Sequence, residues 1–297
     1  MIAAILLLVI STLEIVMVSK NYLSEEKEHY ISKDSYDNTN FGKTSIDEEI
    51  LKDKDPNYRV FNMLGTSTGS PFSESRTSSV VGYHPCKLRI YQDIIEKYLS
   101  SRPSPAILYM LNTKYIIVQD PQTNQPGVIT NPDAFGPCWL VKHVQLVDDK
   151  VAAIKAIGQV NLKDTAIVEK SFSRIVTQPQ WDSSASIKMT KFDNDEVEYE
   201  VNSNSPQFAV FSEVYYPLGW NAYLDGKKTE YCNVNYILRG MSVPAGKHTI
   251  RFVFEPASVK QGKSIMFMAS IAVLLSLLGG LFMHFRKDLQ QLAGKKA

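Results

Sequence analysis

Cysteine is scarce in this chain: three in 297 residues, Cys86, Cys138 and Cys232, far apart and odd in number. That excludes a disulfide-dense scaffold and any CxxC zinc or redox pair. One disulfide remains compatible with the count, and buried free thiols are the favoured state. Histidine is equally thin. His29, His84, His143, His248 and His284 stand apart without metal-ligand spacing, so neither a metal nor a cofactor is expected. Excess charge of one sign is missing as well, with 32 basic against 31 acidic residues. No broad basic field for nucleic acid follows from that balance. The chain also has no Asn-x-Ser/Thr sequon, which weighs against a secreted eukaryotic loop.

What is abundant is hydrophobicity, concentrated at the two ends. Ile2 to Val18 is almost wholly apolar, and Ile265 to Phe285 contains no Asp, Glu, Lys or Arg. Crossing the hydrocarbon core takes roughly 20 helical residues at about 1.5 Å each. Transmembrane helices are therefore expected at 1–19 and 264–285, with the lipid bilayer as partner. Arg286, Lys287, Lys295 and Lys296 follow the second run, so the basic tail 286–297 is placed in the cytoplasm and the central body outside it. The first run lacks the Lys/Arg-bearing start of a signal peptide. Glu14 within it is costly in lipid unless it faces protein or water. Ser276 and Gly280 make a small-xxx-small pair suited to close packing on other transmembrane helices. These features suggest a start inside a longer membrane protein.

The intervening residues divide by texture. Residues 20–56 read as a polar stalk with one short helix near Ser45–Lys54, where Ser45 and Glu48 have capping-box spacing. Residues 57–178 read as an α/β unit: strands at Tyr58–Met63, Lys114–Gln119, Trp139–Val147 and Thr165–Glu169, and helices at Lys87–Leu99, Ala106–Leu111 and Lys150–Ile157. Residues 179–256 lose helical periodicity. Val197, Tyr199 and Val201 alternate with Glu198 and Glu200, and Asp225-Gly226 is a two-residue hairpin signal. An antiparallel β-sandwich is expected there. The fold class is thus a membrane-anchored α+β protein: two transmembrane helices flanking an extracytoplasmic α/β unit followed by the sandwich.

Candidate chemistry is sparse. Gly65-Thr66-Ser67-Thr68-Gly69 has the spacing of a nucleophile elbow, but Ser70, Pro71 and polar residues follow where a helix must start. A loop is the better reading. Asp193-Asn194-Asp195 resembles a metal-holding DxD, yet it lies between two strands where such residues form turns. Tyr83, His84, Lys87, Arg89 and Tyr91 cluster at a helix start, as a phosphate or pyrophosphate headgroup would require; a solvated helix face gives the same pattern. In Trp220–Leu224, alternation turns Trp220, Ala222 and Leu224 inward. Asn221, Tyr223 and Asp225 are left outward as a second candidate surface for substrate.

Several strings occur in one order: Tyr58-Arg59-Val60-Phe61-Asn62; Gly82-Tyr83-His84; Met110 to Ile117; Glu213-Val214-Tyr215-Tyr216-Pro217; Gly219-Trp220; Arg239-Gly240; Pro244-Ala245-Gly246; and Phe252 to Pro256. As a set they resemble the carboxy-terminal part of the bacterial YfhO-type membrane proteins. The resemblance implies a GT-C-like glycosyltransferase of the bacterial cell membrane. Such a protein takes sugar from a polyprenyl-phosphate carrier to cell-envelope glycopolymers. It also implies that the catalytic carboxylates belong to a loop of an amino-terminal helix bundle, so none is assigned to a residue of this chain. The function expected is support of sugar transfer, without completing it alone. The alternative is a two-helix-anchored glycan- or protein-binding sensor module.

Overall fold

The computed structural model describes residues 2–22, 32–36, 44–64, 78–81 and 86–294. Its contacts fall into two units, Met1–Pro137 and Cys138–Ala297.

In the first unit, helix α1 (Ile2–Tyr22) carries exposed apolar side chains from Leu6 to Val18. Helix α2 (Ser45–Ile50) is opened by Thr44, whose Oγ1 accepts from the Asp47 amide at 3.2 Å while Asp47 accepts from the Thr44 amide at 2.9 Å. The capping box thus sits one residue earlier than the Ser45/Glu48 spacing suggested, because Thr44 is the extended residue and Ser45 is already helical. The sheet beneath consists of β1 (Arg59–Asn62), β2 (Ser78–Ser79), β3 (Thr113–Gln119) and β4 (Pro126–Thr130), in the order β2-β1-β3-β4. β1 is parallel to both neighbours, and β3 and β4 are antiparallel.

Parallel strands need long crossovers. The one into β3 holds α3 (Arg89–Ile94), a π-helical turn (Ile95–Leu99) and α4 (Pro105–Met110). Ile46 and Ile50 of α2 pack on Val60, Ile117 and Val128 of the sheet. Beyond α2, Asp53 takes Lys114 at 2.5 Å and the Tyr115 hydroxyl at 2.9 Å. The bond to Lys114 is the main reason its carboxyl is held down to about 2.

The second unit is a pair of stacked sheets. One holds β5 (Cys138–Val141), β6 (His143–Val147), β7 (Thr165–Glu169), β10 (Gln207–Val214), β13 (Cys232–Val234) and β14 (Leu238–Val243), in the order β5-β10-β14-β13-β7-β6. The other holds β8 (Ser186–Phe192), β9 (Glu196–Ser203), β11 (Trp220–Leu224), β12 (Lys227–Thr229) and β15 (Gly246–Phe254), in the order β12-β11-β15-β9-β8. Between them Val197, Tyr199, Ala209, Phe211, Met241 and Phe252 form the core. Its rings meet edge to face, with Phe211 and Phe252 centroids 5.0 Å apart.

The strands assigned by sequence to the α/β unit, at 139–147 and 165–169, belong to this sandwich, so the sheets divide at 137/138 and not at 178/179. The expected strand Trp139–Val147 is also two strands. β5 pairs with β10 and β6 pairs with β7, while the amides of Lys142 and His143 between them both donate to Asp164. β6 and β7 are parallel, joined through α5 (Lys150–Ala156), so the sandwich is mixed where an antiparallel one was expected.

Asp225 and Gly226 both have positive φ, 51° and 77°, and close the tight hairpin between β11 and β12. At Gly240 a Cβ would stand 2.9 Å from the Phe208 ring, so only glycine lets that ring lie flat on β14.

β15 runs straight into helix α6 (Ala257–Gly294). Its stretch Ala257–Arg286 contains an 18-residue window of mean hydropathy 2.4 and is the one helix among the described residues long and apolar enough to cross a membrane. Cys138 and Cys232 are buried free thiols pushed up to about 12 by burial, whereas Cys86 is exposed.

Candidate functional site

Two groups of candidate residues lie in different units. In the first, Tyr83 and His84 fall outside the described residues, as does the Gly65–Gly69 string. Lys87 reaches Gln92 at 3.2 Å. Arg89 sits 2.7 Å from Asp93 and 3.4 Å from Glu96 on its own helix. The Tyr91 hydroxyl donates to the Val80 carbonyl at 2.7 Å, fastening α3 to the residue that follows β2. A phosphate would have to displace two carboxylates from Arg89, while Lys87 is engaged by Gln92 and Tyr91 by the Val80 carbonyl.

The second group is assembled by strand register. Period-2 alternation puts Trp220, Ala222 and Leu224 against the core and Asn221 and Tyr223 on the outer face of the five-stranded sheet, as the sequence indicated. Pairing then lines up Tyr223 with Arg251 and Glu198, and Asn221 with Val253 and Glu196. Glu255 follows the end of β15, and one oxygen, Oε2, accepts from both the Tyr223 hydroxyl at 2.9 Å and the Asn221 amide at 3.0 Å. Those two bonds, Tyr223 first, hold the Glu255 carboxyl below the ordinary carboxylate range; the same bond raises the Tyr223 phenol. Glu196 accepts from Lys191 and Arg251, and both bonds lower it. The Arg251 guanidinium lies 5.9 Å from the centre of the Tyr223 ring.

Asp225 turns away from this cluster. Its Oδ2 meets His248 Nδ1 at 2.7 Å, and its Oδ1 accepts from the Thr249 amide at 2.9 Å. The pairing lowers the aspartate and raises the histidine. His248 also borders a shallow polar cleft of about 470 Å³, with Lys188, Glu200, Asn202, Lys247 and Thr249. That cleft lies at the start of β15, whereas the Tyr223–Glu255 cluster sits at its end. Phe254 is six residue steps along β15 from His248, roughly 20 Å at strand rise. Asp193–Asp195 is the turn between β8 and β9, closed by the Asp193 amide on the Glu196 carbonyl at 2.8 Å.

Chemically, the outer face offers carboxylates held ionised, an amide, a phenol and a guanidinium. A proton-donating carboxyl needs its pKa raised toward neutrality, and Glu196, Asp225 and Glu255 are all shifted the other way. This face offers hydrogen-bonding partners to hydroxyl-rich or cationic groups. Sequence reasoning missed Glu196, Arg251, Glu255 and the partner of His248. Alternation in β9 and β15 carried a signal for the first two. Glu255 lies 32 residues from Tyr223, beyond any local pattern.

The junction of this face with the helix falls inside a stretch matched by the model of a known family. The model of the family described as bacterial membrane protein YfhO matches residues 150–266. Over that stretch the chain is similar to that family. The match runs from α5 through the sandwich into the first turns of the apolar helix, so the Tyr223–Glu255 cluster lies wholly within it. No curated protein and no solved structure matches the chain.

Proposed function

We propose that this YfhO-type chain supports sugar transfer at the bacterial cell membrane, positioning a polyprenyl-phosphate sugar or its envelope-glycopolymer acceptor. In this reading 1–19 and 264–285 both cross the bilayer, pack with other transmembrane helices and hold the body on the extracytoplasmic side. The observation that carries it is the family match over 150–266, which covers the sandwich from its third strand on and its junction with the apolar helix. The Tyr223–Asn221–Glu255 cluster supports it by location: Glu255 is two residues before the helix, so what it holds is held near the membrane surface.

The test is transfer of labelled sugar from a polyprenyl-phosphate donor in membranes containing the full-length protein. Tyr223→Ala and Arg251→Ala are expected to cut transfer about tenfold. Unchanged transfer in both variants removes the outer face from the function, and turnover by this chain alone would place the catalytic residues inside it.

The alternative, a glycan- or protein-binding sensor without enzymatic activity, is favoured by one observation, the lowered carboxyls of the outer face. It predicts glycan binding that needs no lipid carrier.

A further inference from the structure

Strand β15 hands the chain to helix α6, and the turn beside that junction carries a bare apolar side chain. Leu218, in the Pro217–Gly219 turn between β10 and β11, is 73 % exposed. That is as bare as the side chains of α6 itself, where Met283 is 70 % exposed. Pro217 and Phe254 are exposed as well and extend the apolar surface.

The turn is fixed in place. The Gly219 carbonyl accepts from the Glu255 amide at 2.7 Å, and the Gly219 amide donates to the Pro217 carbonyl at 2.9 Å. The Tyr231 hydroxyl donates to the Trp220 carbonyl at 3.2 Å and lies 3.4 Å from the Tyr216 carbonyl. Gly219 has a φ of 129°, and a Cβ there would stand 2.6 Å from the Phe254 ring and 3.1 Å from Pro256. The backbone next to Leu218 is thus pressed onto Pro256, the residue before α6. Sheet and helix belong to one unit, so the height of Leu218 along the helix axis is set.

That height is the level of a membrane surface. Ala257–Arg286 has 30 residues, about 45 Å of helix, against about 40–45 Å for a bilayer with its headgroups. With Arg286 at one surface, Ala257 emerges at the other. Lys260 and Lys263 are exposed and three residues apart on one side of the first turns. There their ammonium groups can reach lipid phosphates while the stems lie along apolar surface. An apolar side chain held beside such a helix start is withdrawn from water by lipid.

We infer that Leu218, with Pro217 and Phe254, dips into the lipid headgroup layer beside α6. The sandwich then rests on the bilayer by this corner, and α6 tilts toward it. This rests on the part of the reading above in which α6 spans the bilayer, and not on sugar transfer.

The experiment uses the full chain in lipid nanodiscs, with Cys86→Ser removing the exposed thiol; Cys138 and Cys232 are buried. Nitroxide labels are attached at Leu218→Cys, at Val151→Cys on α5 and at Val273→Cys within α6. EPR then compares collisions with lipid-soluble oxygen and with a water-soluble nickel chelate. Val151, 59 % exposed and away from the junction, is the surface control. The oxygen-to-nickel ratio at Leu218 is expected to be at least about threefold that at Val151 and below that at Val273. A ratio at Leu218 equal to that at Val151 overturns the inference, and a lipid-like Val273 in the same experiment leaves the spanning helix standing. Protection of Leu218 from both reagents means that protein covers it, a second copy or another segment, and also overturns it. A water-like Val273 overturns both this inference and the spanning helix of the proposed function. A label at Pro217→Cys beside native Leu218 separates the leucine from its probe: Leu218→Glu is expected to lower that ratio about threefold, and no change overturns the inference.

Discussion

The two sheets of the sandwich treat their outer faces differently. Strand β10 of the six-stranded sheet is buried from Gln207 through Ser212, both faces covered; β9 of the five-stranded sheet alternates, with Val197, Tyr199 and Val201 buried and Glu198, Glu200 and Asn202 toward solvent. The sequences reflect this, near-continuous in β10 and strictly alternating in β9. The doubly buried sheet holds the unit together, and the half-wet sheet carries the polar chemistry. Changes in the first should therefore cost stability and changes in the second should cost binding.

The largest expected effect is Phe211→Ala. Its fully buried ring contacts those of Tyr199 and Phe252, so about 3–5 kcal/mol should be lost in denaturant unfolding. A loss below about 1 kcal/mol would break the distinction. Gly240→Ala comes next, because the new methyl meets the Phe208 ring. Overpacking of this kind costs about 1–3 kcal/mol, and a thermal melt of the full-length protein reads it.

A smaller effect belongs to the Asp225–His248 pair. The histidine's raised pKa stabilises the fold below its unfolded value of 6.5, and that contribution disappears as pH rises through the folded value. The aspartate's lowered pKa stabilises the fold above 3.8, a contribution lost as pH falls through the folded value. Stability from the pair is thus greatest between those limits. His248→Gln should flatten the fall in melting temperature above pH 6.5, and an unaltered profile would leave the pair without energetic weight.

Smallest of all, Tyr223→Phe should change stability by no more than about 0.5 kcal/mol. It removes the leading cause of the low Glu255 pKa, so carboxyl titration by NMR should show Glu255 moving up. Failure of that shift would mean the Tyr223–Glu255 bond does not persist in solution.

How much of this could be read beforehand depended on the range of the interaction. The Asp225-Gly226 hairpin, the alternation of β9 and β15 and the inward turn of Trp220 are local, set by backbone stereochemistry and a two-residue period. The break at Lys142 was hidden because a single Lys-His pair between two short apolar runs does not by itself end a strand, and only pairing with β10 and β7 separates the two. The same long-range pairing hid the true edge of the sandwich at Cys138. At the candidate site, Asn221 and Tyr223 were legible as outward residues. Tyr83 and His84 lie outside the described residues, and Arg89 is engaged by Asp93 and Glu96 and Lys87 by Gln92, all within one helical stretch.

The sequence alone determined the apolar stretch that can span a membrane, the turn chemistry and the faces of the alternating strands, because each follows from consecutive residues. Only the tertiary structure decided that Glu255 closes on Asn221 and Tyr223 and that Asp225 meets His248. Those contacts join residues tens of positions apart, and their geometry exists only once strand order and register are set.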